Sequence, residues 1–179
     1  ERFYKGFWKI YLSKLGLINE PFLLSERKYG KVFFVRNSDK GVLKEFFGES
    51  EYSMIDFSEF NSVVDVGAHI GVFSVCAAEE TEKVFSYELD PETFSILEKN
   101  VIFHESDNLE IFNKGLSGNK GTKNISRNSN SLGTSVEIER GNASESIEIF
   151  SFEDEMEKIA GDLKEPVLLK LDCEGSEFS

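Results

Sequence analysis

The stretch Asn61–Gly71 constrains the fold of this chain more than any other part of its sequence. Val63–Val66 is rich in β-branched residues, which suit a strand that is covered on both faces. Small residues at helical spacing follow from Ile70 onward. The turn Gly67–Gly71 lies between them, so the pattern predicts a buried strand, a glycine turn and a helix whose first amides face that turn.

The spacing of the glycines predicts which ligand the turn can accept. A dinucleotide turn needs Gly-x-Gly-x-x-Gly, because its second glycine lets the backbone approach a pyrophosphate. His69 occupies that second position, which favours a nucleoside without phosphates. A second strand-like run, Val84–Tyr87, ends at Glu88, 21 residues after Gly67, where a carboxylate can bind both ribose hydroxyls. Asp65 adds a second carboxylate, and this acidic surround suits a ligand of net positive charge.

Three segments resemble the successive motifs of the FkbM family of class I S-adenosylmethionine-dependent methyltransferases: VVDVGAHIG, VFSYELDPETFSILEKN and VLLKLDCEGSEF. The resemblance spans about residues 32 to 178 and implies a Rossmann-like α/β fold with a mostly parallel sheet. It also implies S-adenosylmethionine as cofactor, and methyl transfer to a hydroxyl of a sugar or other small metabolite. His69 departs from the asparagine most common there in the family. The cofactor-binding residues implied are Asp65, Gly67, Ala68, His69, Ile70, Gly71, Glu88, Leu89 and Asn113.

The chain is expected to contain a lead-in of helix and strand over residues 1–60 and a Rossmann-like S-adenosylmethionine-binding domain over residues 61–179. Four parallel strands, two intervening helices and a crossover built from residues 113–161 account for the second part. The family's sheet continues with three more strands, so the resemblance predicts a fragment that lacks its C-terminal strands and begins within the protein. Val167–Leu171 would then be an exposed apolar edge, which either the continuing natural protein covers or through which the fragment self-associates.

Local signals predict the elements of both parts. Aromatic and lysine residues over 2–18 predict an amphipathic helix, and Asn37 or Ser38 is expected to cap a helix that ends at Gly48. Asp90 followed by Pro91 predicts another helix start. The other expected elements are a helix face of Phe94, Leu97 and Val101, a loop or irregular hairpin over 117–135, strands over Val136–Glu139 and Ile147–Phe150, and a helix over 151–160.

Charge and cysteine content limit which substrates and which compartment are expected. The net charge is −13, and residues 61–179 carry 24 acidic and only 10 basic side chains, so this half would repel a polyphosphate and nucleic acid is not the expected substrate. Two cysteines are too few for a disulfide framework, which favours the cytoplasm. No apolar run reaches the roughly 18 residues of a membrane span.

Methyl transfer requires positioning of the acceptor and removal of its proton. Asp172 and Glu174, after the strand at Val167–Leu171, and His69 in the turn are the candidate catalytic residues. Two roles are open for Asp172, holding the cofactor amine or acting as base, and its structural alternative is a helix cap. A divalent metal held by Asp172 is a further alternative, but none is expected because no second and third ligand spacing is visible.

Two other functions compete with methyl transfer. A nucleotide-cofactor oxidoreductase or epimerase would use the same fold, but His69 stands where it needs glycine. A non-catalytic nucleoside-binding domain is the other alternative. Binding of S-adenosylhomocysteine or of NAD distinguishes the three.

Overall fold

The computed structural model describes residues 21–26, 30–48, 51–125 and 145–172. The chain divides after Ile55 into two compact units. The predicted amphipathic helix over residues 2–18 and the predicted strand Val136–Glu139 lie outside the described residues.

The first unit contains a two-stranded antiparallel sheet and one helix: β1 (Phe22–Glu26), β2 (Lys31–Val35) and α1 (Lys40–Phe47). A short 3-10 helix, Glu51–Met54, follows. Phe33 and Phe47 are buried with their rings 6.2 Å apart, which joins helix to sheet. Strand β1 was not predicted from the sequence.

Asp39, and not Asn37 or Ser38, is the N-cap residue of α1. Its carboxylate accepts hydrogen bonds from the backbone N–H of Arg36 at 2.8 Å and from the guanidinium of Arg36 at 2.9 Å. The predicted cap was therefore wrong by one or two residues, because the arginine side chain holds Asp39 at the buried helix start. Gly48 ends the helix as predicted.

The second unit begins with a 3-10 helix, Phe57–Glu59, and continues as alternating strands and helices. Its strands and helices are β3 (Ser62–Val66), α2 (Val72–Ala78), β4 (Lys83–Tyr87), α3 (Pro91–Phe103), β5 (Leu109–Phe112), β6 (Gly115–Ser117), β7 (Gly121–Ile125), β8 (Glu145–Ser151), α4 (Phe152–Ile159) and β9 (Val167–Leu171).

The main sheet has the strand order β5-β4-β3-β9, and all its pairings are parallel. Every residue of β3 is buried, because this central strand is covered on both faces. The register places Asp65 opposite Ser86 on one side and opposite Lys170 on the other. The predicted α/β fold with four parallel strands is confirmed, and the carboxyl ends of β3, β4 and β9 meet at one edge.

The crossover between β5 and β9 forms a second, three-stranded sheet in the order β6-β8-β7. β8 pairs parallel with β6 and antiparallel with β7. The predicted strand Ile147–Phe150 is confirmed within β8, whereas the segment predicted as a loop or irregular hairpin contains the regular strand β7. Ser151 caps α4 through its side chain, as the expected helix start requires.

The start of α3 is as predicted, with Asp90 as N-cap and Pro91 in the first turn. Its buried face is as predicted only at Leu97. Thr93, Ile96, Leu97 and Asn100 are buried, whereas the predicted Phe94 and Val101 are only half-buried. The polar residues on this face make internal hydrogen bonds, which an apolar pattern does not reveal. Within the described residues, no helix is long and apolar enough to cross a membrane.

Candidate functional site

The turn between β3 and α2 relies on three residues with left-handed backbone angles. The φ values are +83° at Gly67, +52° at His69 and +82° at Gly71. A Cβ atom at Gly71 would lie 2.2 Å from Cδ1 of Leu97, so α3 packs directly on the turn. Glycine is thus required at Gly71 both by backbone angle and by space.

Four backbone N–H groups of the turn already donate hydrogen bonds to acceptors within the protein. The N–H groups of Gly67 and Ala68 both donate to the Tyr87 carbonyl at 2.9 Å, and Gly71 donates to the Ala68 carbonyl at 2.9 Å. His69 donates to Glu88 Oε2 at 2.8 Å. These four N–H groups therefore have acceptors within the protein. Their internal bonds hold the turn against the tip of β4.

Glu88 lies at the tip of β4 between the glycine turn and the start of α3, and it is 9% exposed. One carboxylate oxygen accepts the His69 amide, and the other accepts the Asp90 amide at 2.8 Å. Each oxygen carries two lone pairs, so one lone pair per oxygen remains for a ligand. This bidentate acceptor suits two neighbouring hydroxyls.

Burial raises the pKa of Glu88 to about 7, and the nearby carboxylates of Asp90 and Asp65 contribute to the increase. The two backbone hydrogen bonds act in the opposite direction without cancelling the effect of burial. Glu88 therefore changes its charge near neutral pH.

Asp65 is fully buried beneath the turn. One of its oxygens accepts a hydrogen bond from Ser74 Oγ at 2.5 Å, and the other accepts one from Lys170 Nζ at 2.9 Å. Asp65 and Lys170 thus form an ion pair inside the second unit. Because protein groups compensate its buried charge, Asp65 supports the turn from below.

Asp172 follows β9 at the same edge of the sheet, and its backbone N–H donates to the Val66 carbonyl at 2.9 Å. Its side chain is 51% exposed and lies 3.6 Å from Lys170 Nζ. Topology thus brings Asp172 next to the turn from a distant part of the sequence. The predicted catalytic residue Glu174 lies outside the described residues.

Asn113 and Leu89 lie beside the tip of β4. The side-chain amide of Asn113 donates to the backbone carbonyls of Glu88 at 2.8 Å and Leu89 at 3.1 Å, which ties the end of β5 to that tip. A Cβ atom at Gly115 would lie 2.6 Å from Cδ1 of Leu89, so β6 packs closely on this side chain. Both predicted residues border the site.

Ala68 and Ile70 point into the core, whereas the side chain of His69 is half-buried. The Ile70 carbonyl accepts a hydrogen bond from the Asn100 side chain at 2.8 Å. Ala68 and Ile70 therefore shape the turn from within. Among the described residues, no group of three or more His, Cys, Asp or Glu side chains could hold a metal ion.

A family model described as the methyltransferase FkbM domain matches residues 65–179, which include the turn, Glu88 and Asp172. The chain belongs to the FkbM methyltransferase domain family. A comparison of this FkbM domain with curated proteins gives no match.

Solved structures similar to the FkbM domain include an FkbM methyltransferase from Methylobacillus flagellatus KT, with 16% identity over 74% of this chain and 30% of that chain and a TM-score of 0.42. Pyrococcus horikoshii TYW2 in complex with MeSAdo has 22% identity, coverages of 59% and 45%, and a TM-score of 0.40. M. jannaschii TYW2 in complex with AdoMet has 19% identity, coverages of 53% and 43%, and a TM-score of 0.40. The chain spans less than half the length of each of these structures.

Sequence reasoning missed two groups in the FkbM domain, the Ser74 hydroxyl that binds Asp65 and the Asn100 amide that binds the turn. Each is a polar residue on a buried helix face. A polar residue within a predicted buried helix could have indicated these contacts, because a buried polar side chain needs a hydrogen-bond partner.

Proposed function

We propose that this FkbM domain binds S-adenosylmethionine at the glycine turn and belongs to a methyltransferase. The supporting observation is Glu88, a buried carboxylate that faces the turn with one lone pair left on each oxygen. In this proposal the two lone pairs accept the two ribose hydroxyls of the cofactor. Gly67 and Gly71 carry no side chain and so leave space for the cofactor at the turn. Leu89 and Asn113 border the adenine.

The hydrogen bonding of the turn argues against a pyrophosphate cofactor such as NAD. A pyrophosphate needs several backbone amides as donors. Four backbone N–H groups of the turn already donate hydrogen bonds to protein acceptors, those of Gly67, Ala68, His69 and Gly71. The surrounding carboxylates repel an anion and favour the positive sulfonium and amine.

The cofactor supplies an electrophilic methyl group, so the remaining tasks are to orient an acceptor and accept its proton. Asp172 is our first candidate for a residue that contacts the amino-acid end of the cofactor or accepts the proton. Its carboxylate is half exposed at the tip of β9. His69 and Glu174 are further candidates for proton transfer.

For the acceptor we propose a hydroxyl group of a sugar or other small metabolite. Residues 61–179 carry 24 acidic side chains against 10 basic ones, and this excess disfavours a polyanionic acceptor. The low cysteine content fits a reducing compartment, so we propose the cytoplasm as the location.

The cofactor proposal is tested by calorimetric titration with S-adenosylhomocysteine and, separately, with NAD. We expect S-adenosylhomocysteine to bind and NAD not to bind. Glu88→Gln should weaken binding, whereas the control Glu92→Gln, which changes an exposed carboxylate in the first turn of α3, should not. Binding of NAD alone would show that the domain is of the oxidoreductase or epimerase type, and binding of neither would refute a nucleoside site.

The acceptor proposal needs a separate assay with S-adenosylmethionine carrying a labelled methyl group. Mixtures of sugars and small hydroxyl compounds are compared with transfer RNA as a polyanionic acceptor. Label in the small-molecule fraction supports the proposal. Label on RNA would overturn the choice of acceptor without affecting the cofactor assignment.

A further inference from the structure

Lys170 joins three segments of the second unit beneath the glycine turn. Its Nζ atom lies 2.9 Å from Asp65 Oδ1 in β3, 3.1 Å from the Gly67 carbonyl oxygen in the turn and 3.6 Å from Asp172 Oδ2 after β9. The Lys170 side chain is 11% exposed, and its ammonium also lies 5.5 Å from the centre of the Phe73 ring. The first two contacts are hydrogen bonds, and the third, with Asp172, is an ion pair.

The three contacts differ in what they can do. Asp65 is fully buried and also holds Ser74, so its bond to Lys170 compensates a buried charge. The Gly67 carbonyl belongs to the turn, and the Asp172 carboxylate is half exposed at the site. Lys170 therefore connects a structural carboxylate with two groups that border the proposed ligand.

The sheet register explains why a lysine is suited to this position. Asp65 and Lys170 are directly opposite each other on β3 and β9, and their side chains emerge on the same face. Asp172 is two residues further along and emerges on that face as well. The stem of Lys170 thus runs beneath the edge where the turn and Asp172 meet.

We infer that Lys170 is a positioning residue that fixes the Asp172 carboxylate relative to the glycine turn and so sets the affinity for the amino-acid end of the cofactor. This inference rests on the proposed function. Lys170 acts through Asp172 and the Gly67 carbonyl. In the proposed function the adenosine end is bound at Glu88, so we expect its affinity to depend much less on this link.

The inference is tested with two probes, S-adenosylhomocysteine and 5′-methylthioadenosine. The second probe has the adenosine and the sulfur but lacks the amino-acid end. The main variant is Asp65→Asn with Lys170→Met, which removes a buried anion and a buried cation together and leaves no single charge buried. We expect its affinity for S-adenosylhomocysteine to fall about tenfold, and that for 5′-methylthioadenosine to stay within about twofold.

Two further variants keep the test decisive. Asp172→Asn should give the same selective loss, and adding it to the double variant should weaken binding little further, because groups that act as one unit are not additive. Lys170→Arg keeps a cation beside Asp65 and so protects the fold, but its planar guanidinium cannot reproduce the three contacts. It too should lose affinity selectively for S-adenosylhomocysteine.

An equal loss for both probes, with or without a lower melting temperature, would show that Lys170 supports only the fold and would overturn the inference. Unchanged affinity for S-adenosylhomocysteine in both the double variant and Lys170→Arg would also overturn it. If the unmodified protein binds neither probe, the proposed function itself fails and the inference falls with it. The unmodified protein thus separates the two kinds of failure.

Discussion

Glu88 should make nucleoside binding depend on pH near neutrality. Its pKa is raised to about 7, chiefly by burial. Only the ionised carboxylate offers acceptors on both oxygens while it also holds the His69 and Asp90 amides. Acidification should therefore weaken binding of 5′-methylthioadenosine, which has no amino or carboxyl group of its own to titrate in this range.

The size of the effect follows from the ionised fraction. For a pKa of about 7, that fraction falls about thirtyfold between about pH 8 and about pH 5.5, which sets the largest expected loss of affinity. Calorimetry at both pH values measures it. The affinity of Glu88→Gln for 5′-methylthioadenosine should be lower at both pH values, by about tenfold to a hundredfold relative to the unmodified protein at the higher pH. It should show no comparable pH dependence.

The same pKa makes a prediction about stability with a defined sign. The folded state holds the Glu88 proton more tightly than the unfolded state, whose pKa is near 4.5. The stabilisation is fully present below about pH 4.5 and is lost as the pH rises to about 7, by about 3 kcal/mol in all. The difference in unfolding free energy between the protein and Glu88→Gln, from urea titrations, should follow this course. A pH-independent difference, together with pH-independent binding, would refute the assignment of Glu88 as a buried, titrating ribose ligand.

Three further predictions concern the turn and the edge of the sheet. Gly67→Val should abolish most nucleoside binding, because a branched residue disfavours the left-handed backbone angle there; affinity unchanged in calorimetry would contradict this. Gly71→Ala should lower the melting temperature, because its Cβ atom would lie 2.2 Å from the Leu97 side chain. An unchanged melting temperature would show that the Leu97 side chain moves aside without loss of stability. Leu169 and Leu171 of β9 are 45% and 49% exposed, so we expect the 179-residue chain to self-associate in light scattering. Leu171→Lys should reduce the measured mass. If the unmodified protein and the variant are both monomeric, this edge is not a contact between copies.

Local sequence patterns were sufficient to predict most elements of the second unit. The glycine turn, the Asp90 cap with Pro91, and the strands on either side depend on backbone preferences that act over a few residues. The resemblance to the family added a mostly parallel sheet and the Rossmann-like fold. Because these features are encoded locally, short runs of consecutive residues are enough to predict them.

Other local features were decided by neighbours that the pattern does not reveal. Asp39 became the helix cap because Arg36 holds its carboxylate. The buried face of α3 includes Asn100, whose amide binds the Ile70 carbonyl. Hydrogen bonding inside the core thus overrode the simple apolar spacing on which the predictions depended.

The sequence by itself determined that carboxylates at strand ends surround a glycine turn, because strand, turn and acidic residue follow one another at family spacing. Only the tertiary structure decided which protein groups each of them contacts. Asp65 and Lys170 are 105 residues apart and meet because parallel pairing of β3 and β9 places them opposite each other. That register pairs Asp65 with Lys170 beneath the turn, whereas Glu88, after β4, accepts two backbone amides and keeps one lone pair on each oxygen. Such a division of roles depends on burial and on long-range pairing, and neither is visible in a run of consecutive residues.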